Sequence, residues 1–480
     1  MTRGQDSRAP APWSDAEVRE ALGLGPRPGA EELHFPRVTT DTRTLREGDL
    51  FVALEGPNFD GHDFLSEAAA RGAAAAIVHR SAPSEGLLTL YPVDDTLTAL
   101  GALARHRRRT FPARVVAITG SSGKTTVKEL LGAALRSSFR LHLTPANLNN
   151  RIGLPLTLLA TPVDTEVVVV ELGTNEPGEI GTLTAIAEPD AALLTTVSEA
   201  HLERLGSLEG VYDEKLALIR GVPADGWIVV GDEPPDLPAR VRELHGDVTV
   251  TGLSPRADER WRGELVDADA EGRWRVRLPD GEIECRMPGR HGARNTLLAL
   301  AAAERLGVPF AEALRTLEGI RPSGLRGEAR TVGGLTLILD CYNANPQSTR
   351  AALDLLVQRP SSGPRVAILG SMLELGDRAE PLHDELLAEA LGARLDLVVA
   401  VGDFARAAER LDPASDSPTL LVADDADEAF QVVRPHLSGT ETILLKGSRG
   451  VELEQVVPHL EEAFGGAAPP DAAPTPGGEG

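Results

Sequence analysis

Cysteine is scarce in this chain: Cys285 and Cys341 are the only two in 480 residues, and no C-x-x-C pair occurs. That count supports neither a disulfide framework nor a zinc site, and a reducing cytoplasm fits it best. No apolar run approaches the roughly 18 residues that a spanning helix needs. Met1 to Pro12 is polar and has no apolar h-region, so a secretory signal is not expected either. Basic charge is also short, with 48 Lys and Arg against 72 Asp and Glu, a formal charge of −24. Nucleic acid and anionic membranes both reward a basic footprint, so neither is expected as a partner. An anionic substrate would have to be met locally, by clustered cations, helix N-termini or bound Mg²⁺. No internal repeat of short period is present.

What is there is ordinary for a soluble α/β protein: 42% hydrophobic and 25% charged residues in a length that suggests about three domains. Residues 1–110 read as a small α/β domain. A capping box at Ser14 to Glu17 opens its first helix, apolar strands follow Gly48 and Ala75, and Arg105 to Arg109 close it as a solvated helix end. In 111–320 the runs Val115–Ile118, Val167–Val170, Ala191–Thr195 and Trp227–Val230 have the continuous apolar character of buried parallel strands, which predicts a doubly wound nucleotide-binding sheet. Between 260 and 287 the pattern alternates around Pro279-Asp280-Gly281, an antiparallel insertion, and a helix over Asn295–Leu306 closes this domain. From 321 to 464 the alternation restarts, with strands at 335–339, 366–369, 397–401, 419–422 and 443–445, which predicts a Rossmann-like C-terminal domain. The tail 465–480 is Gly, Pro and Ala with little else, and disorder is expected there.

The most informative stretch is Val115 to Thr126, which reads as strand, glycine turn and helix start. Such a turn aims backbone N–H groups at an anion, so Gly120, Ser121, Ser122, Gly123, Lys124, Thr125 and Thr126 are expected to cradle a nucleotide's phosphates. Lys124 would reach the β- and γ-phosphates, and Thr125 would sit on Mg²⁺. Ile118 stands where the common phosphate-loop pattern has its first glycine, so this is a shortened variant. Glu171 ends a strand beside the loop and is either a Mg²⁺ ligand or a helix-capping acid. His201 follows the next strand and is either a ligand or structural. Lys215, by pattern alone, reads as a solvated helix lysine. Asp340 to Pro346 is a strand-end loop dense in polar groups, Arg326 offers a guanidinium to a phosphate, and Lys446 and Arg449 offer cations to a carboxylate.

These residues together resemble the Mur ligase family over 38–460. The markers are Thr40 to Arg43, Gly48 to Leu54, Asp60 to His62, Gly120 to Thr126, Asn147 to Pro155, Glu171 to Asn175, Pro177 to Ile180, His201 to Glu203, Gly289 to His291, Tyr342 to Pro346, Gly370 to Gly376 and Lys446 to Arg449. The resemblance implies a three-domain, cytoplasmic, monomeric ATP-dependent ligase of cell-wall synthesis. It would join D-alanyl-D-alanine to UDP-N-acetylmuramoyl-tripeptide through an acyl phosphate. It further implies that Thr125, Glu171, His201 and a carbamylated Lys215 hold two Mg²⁺, that Lys124, His201 and Lys215 are catalytic, and that His291, Asn295, Arg326, Asp340 and Asn343 contact ATP. Thr42, Arg43, Asn149, Asn150, Lys446 and Arg449 would contact substrate. The chain departs from the family pattern at Thr196, Ala217, Gly292 and Ser371. A folylpolyglutamate synthetase-like ligase and a nucleotide-binding scaffold without turnover are the alternatives.

Overall fold

The computed structural model describes residues 10–27, 33–56, 58–82, 88–361, 363–411 and 419–466. The expected tail lies outside the described residues except for Gly465 and Gly466. Three sheets carry the architecture. The first is parallel and four-stranded, in the order Val38–Thr39, Leu50–Val52, Ala75–His79, Thr89–Val93. It is followed by the helix Thr96–Thr110, capped by the Asp95 carboxylate on the Thr98 amide.

The central sheet is parallel and six-stranded, in the order Leu141–Leu143, Val167–Glu171, Arg114–Thr119, Ala191–Leu194, Trp227–Gly231, Val248–Thr251. Its apolar strands need no alternation because both faces are covered. Val168 and Val170 enter one core with Val115 and Ala117, while Val167 and Val169 enter another with Val116 and Ile118. At about 1.5–3 kcal/mol for each fully buried aliphatic side chain, this sheet is the most strongly held part of the domain. By way of the edge strand Leu141–Leu143 the chain passes from the middle strand Arg114–Thr119 to Val167–Glu171 on one side of it, then crosses over to Ala191–Leu194 on the other. The crevice outside the carboxyl ends of these three strands is therefore a topological switch point, where α/β sheets bind ligands.

The expected insertion is a three-stranded antiparallel sheet of Glu264–Ala268, Arg273–Leu278 and Gly281–Pro288. The helix after it spans Gly289–Arg305, starting six residues before the expected Asn295, so that Asn295 lies inside it. The third sheet has the order Glu328–Val332, Leu335–Asp340, Thr442–Lys446, Arg365–Leu369, Leu397–Val401, Thr419–Ala423. All neighbours are parallel except the edge strand Glu328–Val332, which pairs antiparallel and has no counterpart in the sequence reading. Its exposed Ala329, Arg330 and Thr331 hide it from a search for apolar runs.

The basic helix end is solvated only in part: Arg105 and Arg109 are exposed as expected, while Arg107 and Arg108 are drawn inward. Arg107 is 5% exposed and lies over the Trp13 ring at 4.2 Å, Arg108 binds Asp190 and the Ala187 and Glu188 carbonyls, and Arg105 and Arg109 both bind the Glu188 carboxylate. Its charges join the first sheet's helix to the central one, which is where a cationic patch on an acidic chain finds partners. Among the described residues, no helix is long and apolar enough to cross a membrane.

Candidate active site

The phosphate loop begins where Thr119 leaves the middle strand. Gly120 has φ +147°, and a Cβ there would come within 1.9 Å of Thr195 Oγ1. Gly123, at φ +85°, ends the loop as the N-cap of the helix Lys124–Leu135, and a Cβ there would lie 2.7 Å from Asn295 Oδ1. Both positions need glycine because backbone and side chains from two neighbouring elements close on them. The loop is held from behind: Thr195 Oγ1 donates to the Ser122 carbonyl (2.5 Å), the Ser121 amide donates to the Thr196 carbonyl (2.8 Å), and Ser121 Oγ accepts from the Ser198 amide (2.9 Å). Lys124 Nζ folds back to donate to the Gly120 carbonyl at 2.8 Å. Burial lowers its pKa and nearby Arg326 lowers it further, against the pull of Glu171, which makes this a site short of negative charge. Thr126 follows in the first helical turn.

Glu171 is 2% exposed at the end of its strand. Its carboxylate accepts from Thr125 Oγ1 (3.0 Å) and Asn149 Nδ2 (2.8 Å), and its amide donates to Thr144 Oγ1 (2.9 Å). A hydroxyl and a carboxylate paired beside a phosphate loop are the oxygen donors a hard cation takes. The sequence reading missed Lys128, which is fully buried one turn after Lys124. Its Nζ donates to the Thr144 and Ala146 carbonyls (2.9 and 3.0 Å) and stands 3.8 Å from Glu171. It ties the segment that carries Asn149 and Asn150 to the phosphate-loop helix. Asn150 Oδ1 accepts from the Ile152 and Gly153 amides (3.1 and 2.9 Å), in the turn that leads into the helix Gly153–Leu159.

Lys215 is not solvated, as its pattern suggested. It is 0% exposed, and its Nζ has no hydrogen-bond partner among the described residues. Burial, with the charge of Lys124 adding to it, lowers its pKa well below the ordinary lysine value. Glu214 and Glu179 pull the other way without offsetting the burial, so an orphaned amine beside a phosphate loop suits conversion to an anionic metal ligand better than a permanent ammonium. Its neighbour Glu214, also missed, is 5% exposed and accepts from the Gly178 and Ile180 amides (both 2.6 Å) and from Thr174 Oγ1 (3.2 Å). That buried carboxylate fixes the loop after Glu171.

His201 stands past the next strand at φ +56°, and its Nδ1 is 2.5 Å from Glu374 Oε2 of the third sheet's domain. Among the described residues no three His, Cys, Asp or Glu gather as a metal cluster, so Thr125 and Glu171 are together while His201 is engaged elsewhere. The third sheet presents its own loop at the same crevice. Asn345 caps the helix Pro346–Gln358 through the Ser348 amide, and its Nδ2 donates to Ser122 Oγ of the phosphate loop (3.1 Å). Gln347 bonds Thr196 (3.1 Å), which gives that departure from the family pattern a partner.

Arg326 lies 3.8 Å over the Tyr342 ring, and Asn343 turns its side chain onto the Ala344 amide. Lys446 is 2% exposed and is bound to Asp340 (2.9 Å) and the Asn343 carbonyl (2.7 Å), so it braces this loop. Arg449 pairs with Glu454. His291 feels the charges of Asp340 and Lys446 from the start of its helix. Thr42 and Arg43 occupy the short turn Thr42–Thr44 in the first sheet's domain, where Arg43 is exposed and paired with Asp41 (2.8 Å). Two other departures have local reasons. A Cβ at Gly292 would lie 2.4 Å from the Met287 carbonyl oxygen, and Ser371 Oγ accepts from the Asp403 amide (2.8 Å) at a helix start. Ala217 packs beside the Gly181 backbone, and nothing here explains its choice over a larger residue.

Comparison with known proteins covers almost the whole of this arrangement. Residues 34–108 match the Mur ligase family catalytic domain, 118–303 the Mur ligase middle domain, and 326–449 the Mur ligase glutamate ligase domain. The UDP-N-acetylmuramoyl-tripeptide–D-alanyl-D-alanine ligase of Bacillus subtilis is 35% identical, over 91% of this chain and 95% of its own length. MurF from Acinetobacter baumannii superposes with a TM-score of 0.85 at 30% identity, over 95% of this chain and all of its own. MurF from Thermotoga maritima, solved in complex with ADP, has a TM-score of 0.79 at 30% identity, over 89% of this chain and 97% of its own. A folylpolyglutamate synthase from Mycobacterium tuberculosis, 20% identical over 78% of this chain with a TM-score of 0.57, shares the fold alone. With all three of its domains matched by family models and a relative 35% identical over nine-tenths of its length, the chain belongs to the Mur ligase family.

Proposed function

We propose that the chain joins D-alanyl-D-alanine to the terminal carboxylate of UDP-N-acetylmuramoyl-tripeptide at the expense of ATP, as a cytoplasmic monomer divided into domains at 1–110, 111–320 and 321–464. One observation carries this reading: the phosphate loop, Glu171 and the Asn343 to Pro346 loop converge in a chain that aligns over nine-tenths of its length with a ligase named for that reaction.

In this reading the substrate carboxylate attacks the γ-phosphorus of ATP, the β–γ bridging bond breaks, and ADP leaves an acyl phosphate. The dipeptide amine then adds to the acyl carbon, and a tetrahedral intermediate collapses to the amide with release of phosphate and a proton. The chain's work is placement and charge neutralisation. Lys124 swings from the Gly120 carbonyl to the γ-phosphate as negative charge arrives. Gly120 to Thr126 hold the phosphates through backbone N–H groups, and Glu171, kept in place by Asn149, orients Thr125. Residues of all three domains then close the site against water: Thr42 and Arg43 of the first on the uridine diphosphate, Asn149 and Asn150 of the central one near the peptide, and His291 and Asn295 of the central one with Arg326, Asp340 and Asn343 of the third around the nucleotide. Lys446 and Arg449 serve the substrate carboxylate, Lys446 by bracing Asp340 and Asn343. Thr125 and Glu171 would hold Mg²⁺, and His201, its Nδ1 held by Glu374, would complete the donor set together with a carbamylated Lys215. The ion supplies neutralisation of the repulsion between carboxylate and triphosphate.

The test is phosphate release from ATP with both substrates, each alone, and neither. Sustained release only with both is expected. Steady hydrolysis without either would make this a simple NTPase, and turnover with a folate and glutamate would make it the sibling ligase.

A further inference from the structure

His383 is fully buried in the third domain and has no part in the reaction described above. It sits in the helix Ala379–Gly392 and packs edge-on to Phe404 at 4.7 Å. Its Nε2 accepts from the Met372 amide (2.9 Å), while Nδ1 stands 2.6 Å from the Ala379 carbonyl one turn back. Because a carbonyl can only accept, Nδ1 carries the proton and Nε2 is the bare acceptor. Burial lowers the imidazole's pKa, in keeping with this neutral tautomer.

Met372 begins a segment that is tied at every step. The Ser371 carbonyl accepts from the Ser448 amide (3.1 Å), the Leu373 amide donates to Ser448 Oγ (3.0 Å), and Met372 and Leu375 are buried. The segment's far side meets the central domain. Glu374, at φ +66°, bonds His201 with its side chain, and its carbonyl accepts from the Glu203 amide (3.0 Å). Gly376, at φ +54°, approaches Glu203 so closely that a Cβ would stand 2.9 Å from Glu203 Cα, and Arg378 lies 3.6 Å from Glu199. A non-glycine residue at positive φ persists only where its surroundings over-determine it. Among the described residues, the imidazole acceptor is the one side-chain hydrogen bond that reaches this segment from the helix Ala379–Gly392.

We propose that His383 is a positioning residue: its Nε2, by fixing the Met372 amide, sets the 371–376 segment in the shape that carries Glu374 onto His201 and docks the third domain on the central one. Its importance for turnover rests on the ligase reading, but its effect on docking does not. The amide side chains separate the two nitrogens, since Gln places an oxygen near the Nε2 position and Asn places its amide near Nδ1. His383→Asn should raise hydrogen exchange at the Met372 and Glu203 amides by about tenfold or more, leaving the core-strand amides of Ile368 and Val399 unchanged. It should also lower kcat by about tenfold with little change in KM for the uridine substrate. His383→Gln should restore both within about threefold. Where the Asn variant does not fold, the Gln variant decides alone, and loss of Glu203 protection in it overturns the proposal. Equal behaviour of Asn and Gln, or an unchanged Glu203 amide in the Asn variant, also overturns it. A wild-type protein without ligase turnover would sink the functional reading and leave the exchange result to judge His383.

Discussion

Replacing Lys215 with methionine should make the protein more stable and nearly inactive at once. The amine is fully buried, has no hydrogen-bond partner among the described residues, and is held far below its ordinary pKa of 10.5 by burial and by Lys124. An unsatisfied buried polar group costs about 1–3 kcal/mol, and methionine fills nearly the same space without donors. A gain of that order corresponds to about 2–4 °C in the midpoint per kcal/mol in a domain of this size. The sign with pH follows from the depressed folded pKa. The unfolded chain binds the proton that the folded chain refuses, so wild-type stability falls as pH drops below 10.5, and the variant loses that contribution. The assay is urea unfolding of both proteins between pH 7 and 9 in bicarbonate-free, metal-free buffer, with turnover measured beside it. Adding bicarbonate and Mg²⁺ should then raise the wild-type midpoint only, because CO₂ adds to the neutral amine to give a carbamate and a proton. A variant less stable than wild type in the first buffer would refute the reasoning, since it would show that the amine has a partner holding it.

Lys128→Met should act in the opposite direction, destabilising by about 3 kcal/mol because two buried carbonyls and Glu171 lose their cation; an unchanged urea midpoint would rule this out. Gly292→Asn should cost about 1–3 kcal/mol as its Cβ meets the Met287 backbone, and a neutral thermal midpoint would show that this helix start can shift. Lys124→Ala should abolish turnover while circular dichroism stays unchanged, and activity within about tenfold of wild type would remove the lysine from the phosphate site.

The central strands were legible in the sequence because burial on both faces leaves uninterrupted valine and leucine. The edge strands Leu141–Leu143 and Val248–Thr251 were not, being short and interrupted by His142, Thr249 and Thr251. The phosphate loop was readable because its glycines answer to close contacts that no other residue tolerates. The cations were read worst. Lys128, Lys215 and Arg107 look solvated by spacing, since helical periodicity says which face a residue takes and nothing about what covers that face. Asn345 was visible only as part of a polar strand-end loop, and its bond to Ser122 joins residues 223 apart in sequence and leaves no local trace.

That bond has a thermodynamic consequence. The Asn345 side chain caps a helix in one domain and touches the anion-binding loop of another, so an anion that reorganises Ser122 alters the free energy of bringing the domains together. Reciprocity then requires that bringing the domains together alter the affinity for that anion by the same factor. The effect of nucleotide on docking and the effect of docking on nucleotide affinity are therefore one coupling constant, and a change at Asn345 that alters one alters the other by the same factor.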